Sequence, residues 1–293
     1  MAYTQLAQIT ARCAETGKAF WQIVQDSDCQ ERDVTPAQSF ADMQRMYRAM
    51  EQADAAYDPS LRSASGMAGG DGAKFSAYRM RENRLLGDYL TEVMERALKM
   101  AESNACMKRI VAAPTAGSCG VIPAVLLIDA SCRQVTEEKL VEALYVAAGI
   151  GEVIAASASI AGAEGGCQAE VGAASAMAAS AAVELFGGTP AQCLDAASFA
   201  IVNILGLVCD PIGGLVENPC QNRNAMGASN ALISAELSMA GIKSITPIDE
   251  TIGVMYAVGR SIPSELRETS MGGMAVAKSA CEACAACAKE TQK

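Results

Sequence analysis

Histidine is absent from all 293 residues. That excludes a Ser-His-Asp or Cys-His pair, an HExxH zinc site and any imidazole base supplied by this chain. Aromatic residues are scarce, at 4% against 51% apolar, so the apolar mass is mostly Ala, Val, Ile, Leu and Met. Basic residues are outnumbered, 23 to 33, giving a formal net charge of −10. Nucleic acids and anionic membranes reward a net basic face, so neither is an expected partner. Long uninterrupted apolar runs are also missing. The best stretch, 143–162, contains Glu152, and the run 196–208 is only 13 residues long. Both fall short of the roughly 20 residues that span a bilayer, so buried helices are expected and no membrane. The first residues, MAYTQLAQITARCAETG, hold no apolar signal core. Twelve cysteines in a chain of this length fit a reducing cytoplasmic setting, as packed thiols, nucleophiles or metal ligands.

What is present is overwhelmingly helical in pattern. Apolar positions recur at three- and four-residue spacing in 1–57, as in Phe20, Ile23 and Val24. Asp33 to Pro36 reads as a break, with Thr35-Pro36 starting the next helix. A small-residue loop covers 58–72, and an amphipathic helical pattern follows over 73–107. Two apolar runs flank a Pro/Gly/Ser/Cys turn in 109–128. Ala-rich helical sequence runs from Thr136 to Ala182, with breaks at 165–166, 187–190 and 210–219. Helices are expected over 224–240 and 248–258, with a short one at 263–269. Strand alternation is nearly absent, and no linker divides the chain. The expectation is an all-α fold, one domain over 1–293 with a cysteine-bearing tail at 276–293. Its Ala/Gly-rich helices would approach closely, because small side chains permit short interaxial distances.

Four features carry candidate chemistry. The loop SASGMAGGDG, 63–72, is either an anion cradle ahead of a helix or a surface loop. The turn PTAGSCGVIP, 114–123, offers the Thr115 and Ser118 hydroxyls beside free N–H groups, which suits a carboxylate. It lacks the GK[ST] ending of a phosphate loop, and it reads equally as a structural turn with a buried Cys119. Cys167, Cys209 and Cys220 each sit beside Gly or Pro, at separations of 42 and 11 that match no zinc finger. They are either packed thiols or ligands of a cluster wrapped by loops. Three ligands would leave one iron of a four-iron cluster open to act as a Lewis acid. The tail Cys281-x-x-Cys284-x-x-Cys287 is either part of a ferredoxin-like run or the end of an Ala-rich helix.

In combination, PTAGSCGVIPA, EGGCQAEVGAASAMAA, CDPIGGLVENPCQNRNAMGASNA and LRETSMGGMA resemble the iron–sulfur-dependent bacterial L-serine dehydratases, in their α chain. The likeness runs from about Ser63 to Ala275 with the motifs in the family's order. It implies an all-helical lyase that converts L-serine to pyruvate and ammonia, a step of amino-acid catabolism feeding gluconeogenesis. It implies a [4Fe–4S] cluster on Cys167, Cys209 and Cys220, with Cys281 as a candidate fourth ligand. It also implies that Ser65, Gly66, Gly69 and Gly70, with Thr115, Ala116, Gly117 and Ser118, bind substrate. Lys74 is the basic side chain nearest the glycine loop and is nominated beside Thr115 and Ser118 for catalysis. The family's β domain is not part of this sequence, so a separate β subunit is expected, with α–α contacts as the alternative. A cysteine desulfidase-like lyase and a non-enzymatic iron–sulfur redox or sensor protein are the rival readings. A pyridoxal-phosphate dehydratase would need a Schiff-base lysine and a βα phosphate cup.

Overall fold

The structure is a computed structural model describing residues 3–290. It is all-α, as the sequence pattern leads one to expect. Among the described residues the helices are α1 (Leu6–Thr16), α2 (Phe20–Arg32), α3 (Pro36–Ala55), α4 (Asp71–Arg79), α5 (Asp88–Ala105), α6 (Val121–Cys132) and α7 (Glu137–Ser157). They continue with α8 (Gly162–Gly165), α9 (Cys167–Leu185), α10 (Pro190–Val202), α11 (Cys220–Met239), α12 (Ile248–Ser261) and α13 (Lys278–Glu290). The only extended pairing described is one isolated parallel bridge, Cys209 to Arg267.

Helix α9 is the axle. Its residues from Cys167 to Val183 are buried apart from Glu170, and it packs on α6, α7, α10 and α11. The side chains are mostly Ala, and the polar exceptions are satisfied. Ser175 Oγ donates to the Gly227 carbonyl (2.5 Å), and Ser180 Oγ donates to the Cys193 carbonyl (2.8 Å). The approach is close enough that a Cβ on Gly227 would lie 2.6 Å from Val171 Cγ1. Small residues therefore set the α9–α11 distance.

Helix starts follow their capping signals. Thr35 and Thr189 each accept the N–H three residues on and are followed by Pro at the first helical position. Three expectations are corrected. The pattern over 73–107 splits into α4 and α5, because Met80 to Gly87 forms a turn between them. The helix expected from Asn224 starts at Cys220, and the segment 263–269 contributes only a 3-10 turn at Ser264–Leu266. Helix α7 is 21 residues long and, by length and composition alone, apolar enough to cross a membrane. Here it is packed against α2, α3 and α9, with Leu140, Tyr145 and Ile150 fully covered.

Candidate active site

Four loops meet at the N-terminal ends of α9 and α11. Cys167 and Cys220 are the first residues of these helices, and Cys209 lies in the loop after α10. The sequence reads all three as loop residues; two in fact open helices. Gly166 makes the α9 entry possible, with φ of +77° and the Leu207 carbonyl 2.8 Å from where a Cβ would sit. A helix N-terminus favours a thiolate through its free N–H groups.

The three thiols are 2%, 3% and 9% exposed. Burial pushes Cys167 up to about 12 and Cys220 up to about 11, and it raises Cys209 further. The sulfurs also repel one another's charged forms, and Glu170 raises all three. In the metal-free chain they are therefore neutral thiols, and a soft cation would be needed to hold them ionised together. Among the described residues no three Cys, Asp or Glu side chains gather tightly enough for a single metal ion. Thiols at the starts of α9 and α11 and in the loop before α11 are the donor type that iron–sulfur clusters take. Gly162 shapes the same space, since a Cβ there would lie 2.8 Å from Cys209 Sγ and 3.1 Å from Glu170 Oε2.

Glu170 escapes the sequence reading. It lies one turn into α9 from Cys167, and its carboxylate reaches the 115–118 turn, where a Cβ on Gly117 would lie 3.1 Å from Oε2. Burial raises its pKa, against the opposite pull of the nearby Thr115 hydroxyl. Its signal was the EGGCQAE motif itself, which places a carboxylate three residues after a candidate ligand.

The turn is held by Asn224. Its Oδ1 accepts from Gly120 N (2.8 Å), and its Nδ2 donates to the carbonyls of Gly117 (2.7 Å) and Cys220 (2.9 Å). Thr115 and Ser118 hydroxyls lie 3.1 Å apart, and Asn104 Nδ2 donates to the Ala116 carbonyl. Cys119 is wholly buried, its S–H directed at the Met100 carbonyl, and is a packed thiol.

The glycine loop is tied to the cysteine loops by Glu217. The Ser63 hydroxyl donates to Glu217 Oε2 (2.8 Å), and the Ser65 hydroxyl donates to the same oxygen. Gly66, Gly69 and Gly70 all have positive φ. The helix end expected as an anion cradle is already filled. Buried Glu102 accepts from Asp71 N (2.6 Å) and Gly72 N (3.1 Å), and Tyr57 OH donates to it (2.7 Å). Lys74 is 79% exposed and paired with Asp71. Gln221 Nε2 reaches Asp71 Oδ2, while its Oε1 is buried with no partner.

The C-terminal segment straps the Cys209 loop. Cys209 N donates to the Leu266 carbonyl (2.9 Å), and Glu268 N donates to the Cys209 carbonyl (2.6 Å). Met274 N donates to Asp210 Oδ2 (2.7 Å). Cys284 lies at the edge of this region, its Sγ 3.0 Å from where a Cβ on Gly213 would sit. Cys281 is directed at the Ala275 carbonyl. The Cys287 side chain lies outside the described residues.

Residues 15–275 match the family described as the serine dehydratase alpha chain. The chain is 45% identical over 249 residues to a protein of Bacillus subtilis (strain 168) named a probable L-serine dehydratase, alpha chain. That match covers 84% of this chain and 83% of the relative. It is 51% identical over 194 residues to the L-serine dehydratase, alpha chain, of Peptoniphilus asaccharolyticus, covering 66% of each. Against L-serine dehydratase 2 of Escherichia coli (strain K12) it is 44% identical over 190 residues, but these are only 41% of that longer protein. On the family match and these identities together, the chain belongs to the serine dehydratase alpha chain family.

Proposed function

We propose that this chain is the catalytic chain of an iron–sulfur L-serine ammonia-lyase, releasing pyruvate and ammonia without pyridoxal phosphate. The observation that carries the reading is the convergence of three buried thiols, a half-buried carboxylate and a hydroxyl-bearing turn at two helix N-termini. The names of the relatives favour serine over cysteine as substrate. Cys167, Cys209 and Cys220 would hold a [4Fe–4S] cluster. When bound, a cluster with one open iron supplies Lewis-acid polarisation of the C–O bond. Cys281 is the candidate fourth ligand.

This chain's own groups do the rest. The Thr115 and Ser118 hydroxyls and the N–H groups of 116–118 receive the substrate carboxylate, with Ser65, Gly66, Gly69 and Gly70 closing the opposite side. The unpartnered Gln221 Oε1 offers the α-ammonium an acceptor. Glu170 accepts the α-proton on a carboxylate oxygen and returns it to the departing hydroxide as water. Lys74 keeps a supporting part, through its pair with Asp71 at the loop's edge. The enamine that leaves tautomerises to an imine and hydrolyses.

A β subunit completes the enzyme, with α–α contacts as the alternative. Leu215, Val216, Met271 and Met274 are exposed on the loops around the thiols, an apolar rim suited to a docked partner. Free thiols throughout the described residues fit a reducing cytoplasm. The deciding experiment measures iron and sulfide content after anaerobic purification, together with pyruvate formed from L-serine. A preparation that turns over serine without iron would overturn the reading.

A further inference from the structure

One guanidinium touches all three cysteine segments. Arg223 lies on α11, three residues after Cys220. Its Nη1 donates to the Val208 carbonyl (2.9 Å) and its Nη2 to Asp210 Oδ1 (2.7 Å), the residues on either side of Cys209. Its charge also interacts with the Cys167 side chain. Its side chain is 14% exposed and that of Asp210 4%, so the pair is shielded from solvent. The other Asp210 oxygen accepts from Met274 N, which extends the connection to the C-terminal strap.

We propose that Arg223 is the positioning residue of the thiol set: it assembles Cys167, Cys209 and Cys220 before metal arrives, and afterwards donates to the Cys167 sulfur. This rests on the cluster reading above. A planar guanidinium presents five N–H donors in a fixed fork, so it can bond two flanks of a loop and a sulfur at once, whereas a lysine cannot. A cluster held by three protein bonds rather than four depends more heavily on such preorganisation. The same donor stabilises negative charge on the sulfur. The reduced cluster carries more of that charge, so the bond raises the reduction potential.

The test uses the full chain with Arg223→Lys, Arg223→Gln and the double variant Asp210→Asn/Arg223→Gln. The double variant leaves no lone buried charge and so separates the role from simple misfolding. Helix content and melting temperature establish folding. After anaerobic loading with iron and sulfide, the midpoint potential and the rate of iron loss to a chelator are measured. The double variant should fold, lose iron at least about tenfold faster and show a lower potential, with Arg223→Lys between it and the parent. A folded double variant with parental potential and iron retention would reduce Arg223 to a salt-bridge partner and overturn the proposal. Failure of the parent chain to take up iron and sulfide would instead sink the cluster reading. The preassembly is then read in the metal-free chain, by amide hydrogen exchange at Cys209 and Glu268, whose N–H groups are bonded in the pinned loop. Both amides should exchange faster in the double variant, and equal rates would overturn it.

Discussion

Cys167 and Cys220 each occupy the first turn of a helix, and both thiols are nevertheless pushed up by burial. A thiol in that position is quiet until a cation replaces its proton. Replacing Cys167, Cys209 or Cys220 by Ala should therefore abolish iron binding and serine turnover together, whereas Cys132→Ala, at an exposed position, should spare both. Iron analysis of each purified variant checks this, and four irons retained without Cys209 would refute the ligand set. Glu170→Gln keeps a hydrogen-bonding group of the same shape but cannot accept the α-proton. It should lower kcat by about 10²–10⁴-fold with iron content unchanged. A different carboxylate gives a pH test. Asp129 is fully buried, receives the Tyr89 hydroxyl on Oδ1 and leaves Oδ2 without a partner. Burial raises its pKa despite the Tyr89 bond and the nearby Arg133. The associated stability is present below the unfolded carboxylate value and is lost as pH rises through the folded value. Asp129→Asn should thus stabilise the chain by about 1 kcal/mol at pH 7, and the gain should vanish toward pH 4. Denaturant titration at both pH values would show it.

At the scale of elements, α9 and α11 sit at the distance their smallest residues allow. Gly227→Ala would push a methyl into Val171, so it should cost about 1–3 kcal/mol in denaturant midpoint terms, unusually much for so small a change. The Ala and Gly runs that produce this approach were legible in the sequence, as was the Thr35-Pro36 helix start. Periodicity could not place the 80–87 turn, since its Arg and Glu residues continue a solvent-facing pattern. The site was legible as motifs but not as partnerships. Cys167, Cys209 and Cys220 stand out by their Gly and Pro neighbours. Nothing local announces that Asn224 bonds the 117–120 turn, or that Glu102 fills the end of α4. Those pairings span 104 and 31 residues, and only the packed helices bring them together.

The whole molecule is acidic, and apolar side chains rim the loops around its thiols. A purified α chain alone should turn serine over poorly, and adding the β subunit should restore the rate. Assays with and without β, alongside light scattering, read this directly, and full turnover by α alone would remove the need for a completing partner. On the proposed reading an iron that substrate can reach is also reachable by oxidants, so air should bleach activity well before helix content falls, and iron(II) with a thiol should partly restore it. Activity that persists indefinitely in air would argue for chemistry without a cluster.

The strap across Cys209 has a consequence for biosynthesis. Cys167 and Cys220 are translated long before the segment that pins the Cys209 loop, whose last bond comes from Met274. Until that segment is made, the bonds of Arg223 to Val208 and Asp210 are what hold the Cys209 loop. On the proposed cluster reading the strap is therefore a late fastening: the segments made before it can gather the thiols, and only its arrival fixes the Cys209 loop between them.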